Sequence, residues 1–497
     1  MPTALQPVPA DIRTPATPET PRLNGASICG ASPGAPFLYR MPVTGRRPIT
    51  YAAEHLPAGL SLDSATGIVT GRVAKTGEYR VTLRAKNALG SAEKTLRIVI
   101  GDTLALTPPM GWNSWNCWAH AVDQDKVLRS ARALVSSGLA DHGWSYVNID
   151  DTWQGHRHAP DRALQPNEKF PDMARLCGEI HALGLKAGIY SSPWITTYAG
   201  FPGGSSDSPD GAWKHESPYE HNKRMGRYAF TQQDAAQFAA WGFDYLKYDW
   251  NPNDVAHASE MALALRATGR DIVFSLSNST PFAEIDELAR WCHCSRTTGD
   301  IWDTWQEPGP WQYSVSEIGF NQDKWTPHGR PGHWNDPDML VVGWVGWGPS
   351  LHATKLTPAE QYTHISLWCL LASPLLIGCD LERLDAFTLN LLTNDEVLAV
   401  NQDALGQQGR RIATIGAIDV FRKDLEDGSA AFGFFNRGDR VHRVTAKLDR
   451  LGSPGLQRVR DLWRQRDLGD FTGDLSVEVA PHDVQLYRVA PLANAPA

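Results

Sequence analysis

Between residues 21 and 101 apolar and polar positions alternate in short runs set apart by turn residues, as in Gly59-Leu60-Ser61-Leu62, Gly67-Ile68-Val69-Thr70-Gly71, Tyr79-Arg80-Val81-Thr82-Leu83 and Thr95-Leu96-Arg97-Ile98-Val99-Ile100. A period of two is that of half-buried strands, and strands at this spacing with few helical stretches predict a small β-sandwich over 21–101. Residues 1–20, rich in Pro and Thr, lack any such period and read as a disordered tail.

From Thr107 the pattern changes. Apolar strand-like runs alternate with helical stretches up to about residue 400. The predicted strands are Met110 to Trp115, Tyr146 to Ile149, Lys186 to Tyr190, Tyr245 to Tyr248, Ile272 to Leu276, Trp291 to Ser295, His333 to Leu340 and Leu375 to Ile377. Helical runs such as Gln124 to Ser137, Met173 to Leu183 and Gln232 to Trp241 lie between them. Eight such units in about 300 residues fit a (β/α)8 TIM barrel over 102–407. An open doubly wound sheet would carry a Gly-rich phosphate loop after its first strand, and none is present. Over 408–497 the helical period vanishes. Ala417 to Phe421, Ala430 to Phe435, Val441 to Val444 and Val484 to Val489 predict a C-terminal antiparallel β-sandwich.

Composition narrows the function classes. A net charge of −8 argues against nucleic acid or an anionic membrane as the main partner, and no apolar run is long enough for membrane insertion. Seven scattered Cys do not make a disulfide framework, and Cys292-His293-Cys294 has no second Cys/His pair nearby, so neither a metal nor another cofactor is expected. No charged start followed by an apolar core marks a signal peptide. The compartment therefore reads as cytoplasmic, or as periplasmic or secreted if such a peptide has been removed. The sequence is silent on oligomeric state.

The chemistry gathers around Tyr245-Leu246-Lys247-Tyr248-Asp249-Trp250. As a strand it places Leu246, Tyr248 and Trp250 on one face and Lys247 with Asp249 on the other, two charges inside an apolar run. Either they form a buried ion pair, or they point into a pocket where the ammonium keeps Asp249 ionised as a nucleophile. Other polar and aromatic residues fall where the remaining strands end, the face on which barrel enzymes build their sites: Trp115, Asp150-Asp151, Tyr190, Ser277, Arg296 with Asp300 and Asp303, and Asp336-Pro337-Asp338. Carboxylates with one Lys, one Arg and several aromatic rings suit a neutral polyol. Carboxylates accept hydrogen bonds from sugar hydroxyls, and aromatic rings pack on the C–H faces.

In this order, Pro109-Met110-Gly111-Trp112-Asn113-Ser114-Trp115, Ile149-Asp150-Asp151, Gly184 to Tyr190, Tyr245 to Asp249, Arg296 with Asp300, and Trp334-Asn335-Asp336-Pro337-Asp338-Met339 resemble the motifs of the melibiase-type α-galactosidases, glycoside hydrolase family 27. The resemblance covers about four-fifths of the chain; the segment 56–101 is similar to immunoglobulin-like modules that accompany secreted carbohydrate enzymes. It implies a retaining, exo-acting α-galactosidase acting on a carbohydrate substrate, with Asp249 as nucleophile and Asp300 as acid/base. Trp115, Asp150, Asp151, Tyr190, Lys247, Arg296 and Asp338 would hold the sugar. Asp300 sits among Gly, Ile and Trp, where burial would favour its protonated form against the pull of Arg296. Asp303 is the competing acid, and spacing alone does not separate them.

The chain departs from the pattern after the fifth strand. Ser277 stands where many α-galactosidases carry a bulkier or acidic residue, and the α-N-acetylgalactosaminidases of the family have serine there. Thr280 is larger than their alanine. Activity on β-L-arabinopyranosides would be a side reaction, because Asp150-Asp151 matches the galactose binders. From another class, a silent carbohydrate-binding protein would keep the fold without needing both Asp249 and Asp300. Residues 197–226 are long for a barrel loop and suggest a lid or an extra subsite.

Overall fold

The computed structural model describes residues 12–158, 160–215, 219–306, 312–348 and 350–492. Its centre is an eight-stranded parallel sheet in chain order: β1 (Met110–Asn113), β2 (Tyr146–Asn148), β3 (Lys186–Ser191), β4 (Tyr245–Asp249), β5 (Val273–Ser277), β6 (Cys294–Arg296), β7 (Trp334–Asp336) and β8 (Leu375–Ile377). β1 pairs with both β2 and β8, and the chain beyond β7 closes the ring where Leu340 pairs with Ile377, its N–H reaching Leu376 O at 2.8 Å.

Closure buries both faces of every strand, so Val147, Ile189, Leu246, Leu276 and Ile377 are fully enclosed. Their outer faces meet helices α1 (Gln124–Ser136), α2 (Met173–Ala182), α3 (Thr231–Trp241), α4 (Val255–Ala267) and α5 (Pro358–Leu370). These helices start where the sequence can cap them. Asp123, Asp172 and Asp254 accept from the N–H three residues on, and Thr357 with Glu360 makes a capping box. Along α5 every residue from Glu360 to Leu370 is buried, because the C-terminal sandwich covers the side turned away from the barrel. Trp463 donates to Ser366 Oγ at 2.8 Å, and its ring meets Tyr362 edge-on.

Residues 22–100 form a four-stranded and a three-stranded sheet around Val43, Val69, Val81, Leu96 and Ile98. The predicted strands at Tyr79 and Thr95 lie within a longer hairpin, Gly77–Asn87 against Gly90–Ile100. This module rests on the loops that enter the barrel strands. Asn24 Nδ2 donates to Asp141 O, Arg40 Nη1 to Leu183 O, and Ser32 N to Asp271 Oδ2. It thus lies against the face opposite the strand ends that carry the polar residues. At the C-terminus a six-stranded and a two-stranded antiparallel sheet enclose Ile418, Val420, Phe432, Phe434, Val459 and Val477.

Three expectations change. Of the tail read as disordered over 1–20, residues 1–11 lie outside the described residues, and from Ile12 onward the chain is packed down. Arg13 forks onto both oxygens of Asp483 at 2.9 and 2.6 Å and lies over the Tyr362 ring, and Thr14 exchanges bonds with Asn390. Composition does not reveal partners 349 to 470 residues away. β1 ends at Asn113, and Ser114 leads into a helical turn, Trp115–Trp118, while β6 starts three residues later than its apolar run suggests.

Gly111 shows how tightly β1 and β2 meet. A methyl group there would lie 2.3 Å from the backbone oxygen of Tyr146 and 2.5 Å from its Cβ. Gly111→Ala is expected to cost about 1–3 kcal/mol or more and to lower the thermal midpoint by several degrees. An unchanged midpoint in calorimetry would contradict this close approach.

Candidate active site

The ends of β1 to β7 bring the polar residues together. Asp150 and Asp151, just beyond β2, are both nearly fully buried. Asp150 accepts from Asn113 Nδ2 and Lys247 Nζ, each at 2.9 Å, while its backbone N–H donates to Ser114 Oγ. Asp151 accepts from Thr152 N at 2.7 Å and Ala199 N at 3.0 Å. Burial nevertheless pushes its pKa up to about 6.

Lys247 is therefore paired, but with Asp150 on β2 rather than with its neighbour two residues on. Its ammonium also lies 5.3 Å from the centre of the Tyr190 ring, and the carboxylates around it hold it charged against the cost of burial. Truncating one partner of such a buried pair costs roughly 3–5 kcal/mol, because the other charge is left alone.

Asp249 ends β4. It is 5% exposed, its Oδ1 is buried without a hydrogen-bond partner, and its pKa is raised to about 7. Desolvation is the main cause. Lys247 opposes it, Asp300 and Asp150 add to it, and the Tyr190 hydroxyl pulls the other way. The expectation that Lys247 holds Asp249 below the ordinary range is thus reversed. The lysine's charge is already committed to Asp150, and burial outweighs what remains. The apolar partners Leu246, Tyr248 and Trp250 face the helices, as their alternation predicts.

Arg296, ending β6, is buried and reaches five partners. It forms an ion pair with Asp338 Oδ2 at 2.8 Å and donates to Gly299 O at 2.8 Å, Asp300 Oδ1 at 3.3 Å, and Thr298 O and Ser277 Oγ each at 3.4 Å. Nearby carboxylates keep it firmly protonated, Asp338 most strongly. Asp338 also accepts from Ile301 N at 2.8 Å, and burial lifts its pKa to about 6. It therefore anchors the strand that carries Asp300. Its φ of +80°, like the +84° of Thr152, costs roughly 1–3 kcal/mol for a residue with a side chain, and such outliers gather at functional sites.

Asp300 is not enclosed. Its side chain is 43% exposed beside Arg296, so the burial expected from its Gly, Ile and Trp neighbours is absent. Ile301 takes the buried side of that strand instead. Asp303 is fully buried and accepts from His352 Nε2 and Lys355 N, both at 3.0 Å, which ties the Asp300 segment to the Trp344–Ala353 hairpin.

Trp115, at the start of the helical turn after β1, is partly exposed at the rim. Tyr190 is enclosed on β3, and its buried hydroxyl faces the carboxylate cluster, near enough to Asp249 to favour that group's ionised form. Ser277 ends β5, fully buried. Two further residues belong here. Asn113 holds Asp150, and its place at the end of the first strand is the signal that could have found it. Tyr198, in the 197–226 segment, has its phenol held above the usual range by burial first, with the charges of Asp249 and Asp300 adding to it. Only the unusual length of that segment pointed to it. Residues 216–218 of the segment lie outside the described residues; its described part is built into the rim, since Ala199 holds Asp151 and Ser205–Ser206 pairs with Tyr228–Ala229.

Buried and exposed carboxyls near enough for their charges to interact, with a paired lysine, a branching arginine and partly exposed rings, can bind a neutral sugar and move a proton at its glycosidic oxygen. The comparisons agree with that geometry. The family described as Alpha galactosidase A matches residues 107–213 and 221–403, its C-terminal beta sandwich domain matches 415–489, and the Ig domain described as putative matches 20–101. Alpha-galactosidase 2 of Arabidopsis thaliana is 36% identical over 405 residues, 79% of this chain and 92% of the plant protein. A crystal structure from Bacteroides fragilis, described as a putative alpha-galactosidase, is 34% identical with a TM-score of 0.86, covering 98% of this chain and all of that one. That of alpha-galactosidase I from Mortierella vinacea is 32% identical with a TM-score of 0.67, covering 78% of this chain and 97% of the other. The chain is a glycoside hydrolase and belongs to the melibiase family of α-galactosidases, glycoside hydrolase family 27.

Proposed function

We propose that the chain is a retaining, exo-acting α-galactosidase that removes terminal α-linked galactose from oligosaccharides or glycoconjugates. The observation that carries the reading is Asp249: a buried carboxyl with an uncommitted oxygen at a barrel strand end, close enough to Asp300 for that charge to raise its pKa. In the first step Asp249 attacks the anomeric carbon as the C–O bond to the aglycone breaks, and Asp300 gives its proton to the departing oxygen. In the second, Asp300 takes a proton from water, which displaces Asp249 and releases galactose with its original configuration. Lys247 and Asp150 grip the sugar hydroxyls together with Asp151. Arg296 and Asp338 set the position of Asp300.

Ser277 supports a second reading, α-N-acetylgalactosaminidase. An acetamido group at C2 needs space, and a side chain as small as that of Ser277, at the end of β5, takes up little of it. Hydrolysis of aryl α-galactoside, aryl α-N-acetylgalactosaminide and aryl β-L-arabinopyranoside separates the possibilities. We expect kcat/KM on the galactoside to exceed the other two by at least about 10-fold. Preference for the acetamido sugar would replace the first reading with the second, and hydrolysis of none would leave a silent binder.

A further inference from the structure

Two indoles stand beside Asp300 that the reading above does not use. Trp302 directly follows the two-residue strand Asp300–Ile301 and continues its extended run, its N–H donating to Tyr313 O at 2.8 Å. The intervening Ile301 points into the core with no exposure, so alternation puts Asp300 and Trp302 on the same outer face. Trp347 stacks on Trp302, ring centres 4.2 Å apart and planes inclined by 24°. Both rings stay partly exposed, although stacked indoles without another use could have been buried at a gain of apolar area.

The pair is held from several sides. Lys355 places its ammonium 5.0 Å from the centre of the Trp302 ring. Asp303 grips His352 and Lys355 N, fixing the Trp302 strand to the hairpin that leads to Trp347. Trp347 and Gly346 donate to Asn116 O at 3.0 Å, and Gly348 to Cys117 O at 2.7 Å, which hangs the loop on the turn that begins with Trp115. Trp347 itself has φ +53°, a conformation that costs a bulky residue energy and that these contacts enforce.

The acid side chain of a glycosidase reaches the oxygen of the leaving group, so what lies outward of it on its own strand meets the aglycone, not the sugar being cleaved off. We propose that Trp302 and Trp347 form a stacking platform for a second pyranose ring, the first sugar of the aglycone, making short galactosyl oligosaccharides the preferred substrates. The inference rests on the galactosidase reading. An indole face packs against the C–H face of a pyranose, and a rigid, prestacked pair loses little freedom when it does so.

The test compares kcat/KM for raffinose with kcat/KM for α-galactosyl fluoride, whose leaving group carries no ring. Trp302→Ala and Trp347→Ala should each lower the raffinose-to-fluoride ratio by roughly 10-fold, chiefly through KM, and Trp302→Phe, which keeps a ring, should recover most of it. A ratio that stays within about a factor of two of wild type, whether both substrates suffer together or neither does, overturns the platform. Wild-type enzyme inert on both substrates would refute the galactosidase reading first, and the platform with it.

Discussion

Asp249→Asn is expected to lower turnover of an aryl α-galactoside on the order of 10⁴-fold or more, because the amide cannot form the glycosyl ester. The same substitution should make the protein more stable above neutral pH. The folded-state pKa of Asp249 is raised from 3.8 to about 7, so its favourable contribution is complete below the unfolded pKa and is lost as pH rises through 7. Above that, the fold carries an ionised buried carboxylate at a cost of roughly 4 kcal/mol, which asparagine does not incur. A structural ion pair with Lys247 demands the reverse: removing Asp249 would strand an ammonium and lower the midpoint. Thermal unfolding of both proteins at pH 8.5 therefore separates a nucleophile from a structural anion, with activity as an independent readout. The same shift sets the acid limb of the rate profile. Since Asp249 must be ionised to attack, kcat/KM should fall about tenfold per pH unit below 7, and a limb centred near pH 4 would contradict the burial of this group.

The alternation around Lys247 and Asp249 could be read from the sequence because a barrel strand imposes a period of two and nothing distant can change it. The succession of eight apolar runs was legible for the same reason, with Leu375 to Ile377 matching to the residue. What depends on side-chain reach was not. Lys247 chooses Asp150, 97 residues earlier, because β3 brings β2 and β4 to either side of it, and strand spacing alone does not rank two acids against each other. The sign of the Asp249 shift followed from that choice, since a lysine already paired with Asp150 offsets only part of the desolvation. Asp300 was misjudged in the other direction. Its apolar neighbour Ile301 is buried, but a neighbour on a strand faces the opposite way, so that burial is no guide to its own. Arg13 and Tyr198 lay beyond any local signal, one in a Pro-rich stretch, the other in a loop remarkable only for its length.

Asp300→Asn should lower kcat/KM for raffinose by roughly 10³-fold, within the range that general acid assistance supplies, while hydrolysis of α-galactosyl fluoride, whose leaving group needs no proton, should suffer far less in the glycosylation step. Azide, an anion that attacks without a general base, should restore turnover to Asp300→Ala and yield α-galactosyl azide, the configuration that double displacement requires. Asp303→Asn offers the contrast. Its carboxyl is fully enclosed and spends one oxygen on His352 and Lys355 N, so the loss there should be of stability, about 1–3 kcal/mol, read as a lower thermal midpoint. Leaving-group dependence distinguishes the two residues, because an anchor affects every substrate alike whereas a proton donor matters in proportion to the basicity of the departing oxygen. Should Asp303→Asn show that dependence and Asp300→Asn not, the proton would have to travel from inside the hairpin, past the Trp302 strand, and the exposed carboxyl beside Arg296 would be left with a binding role alone.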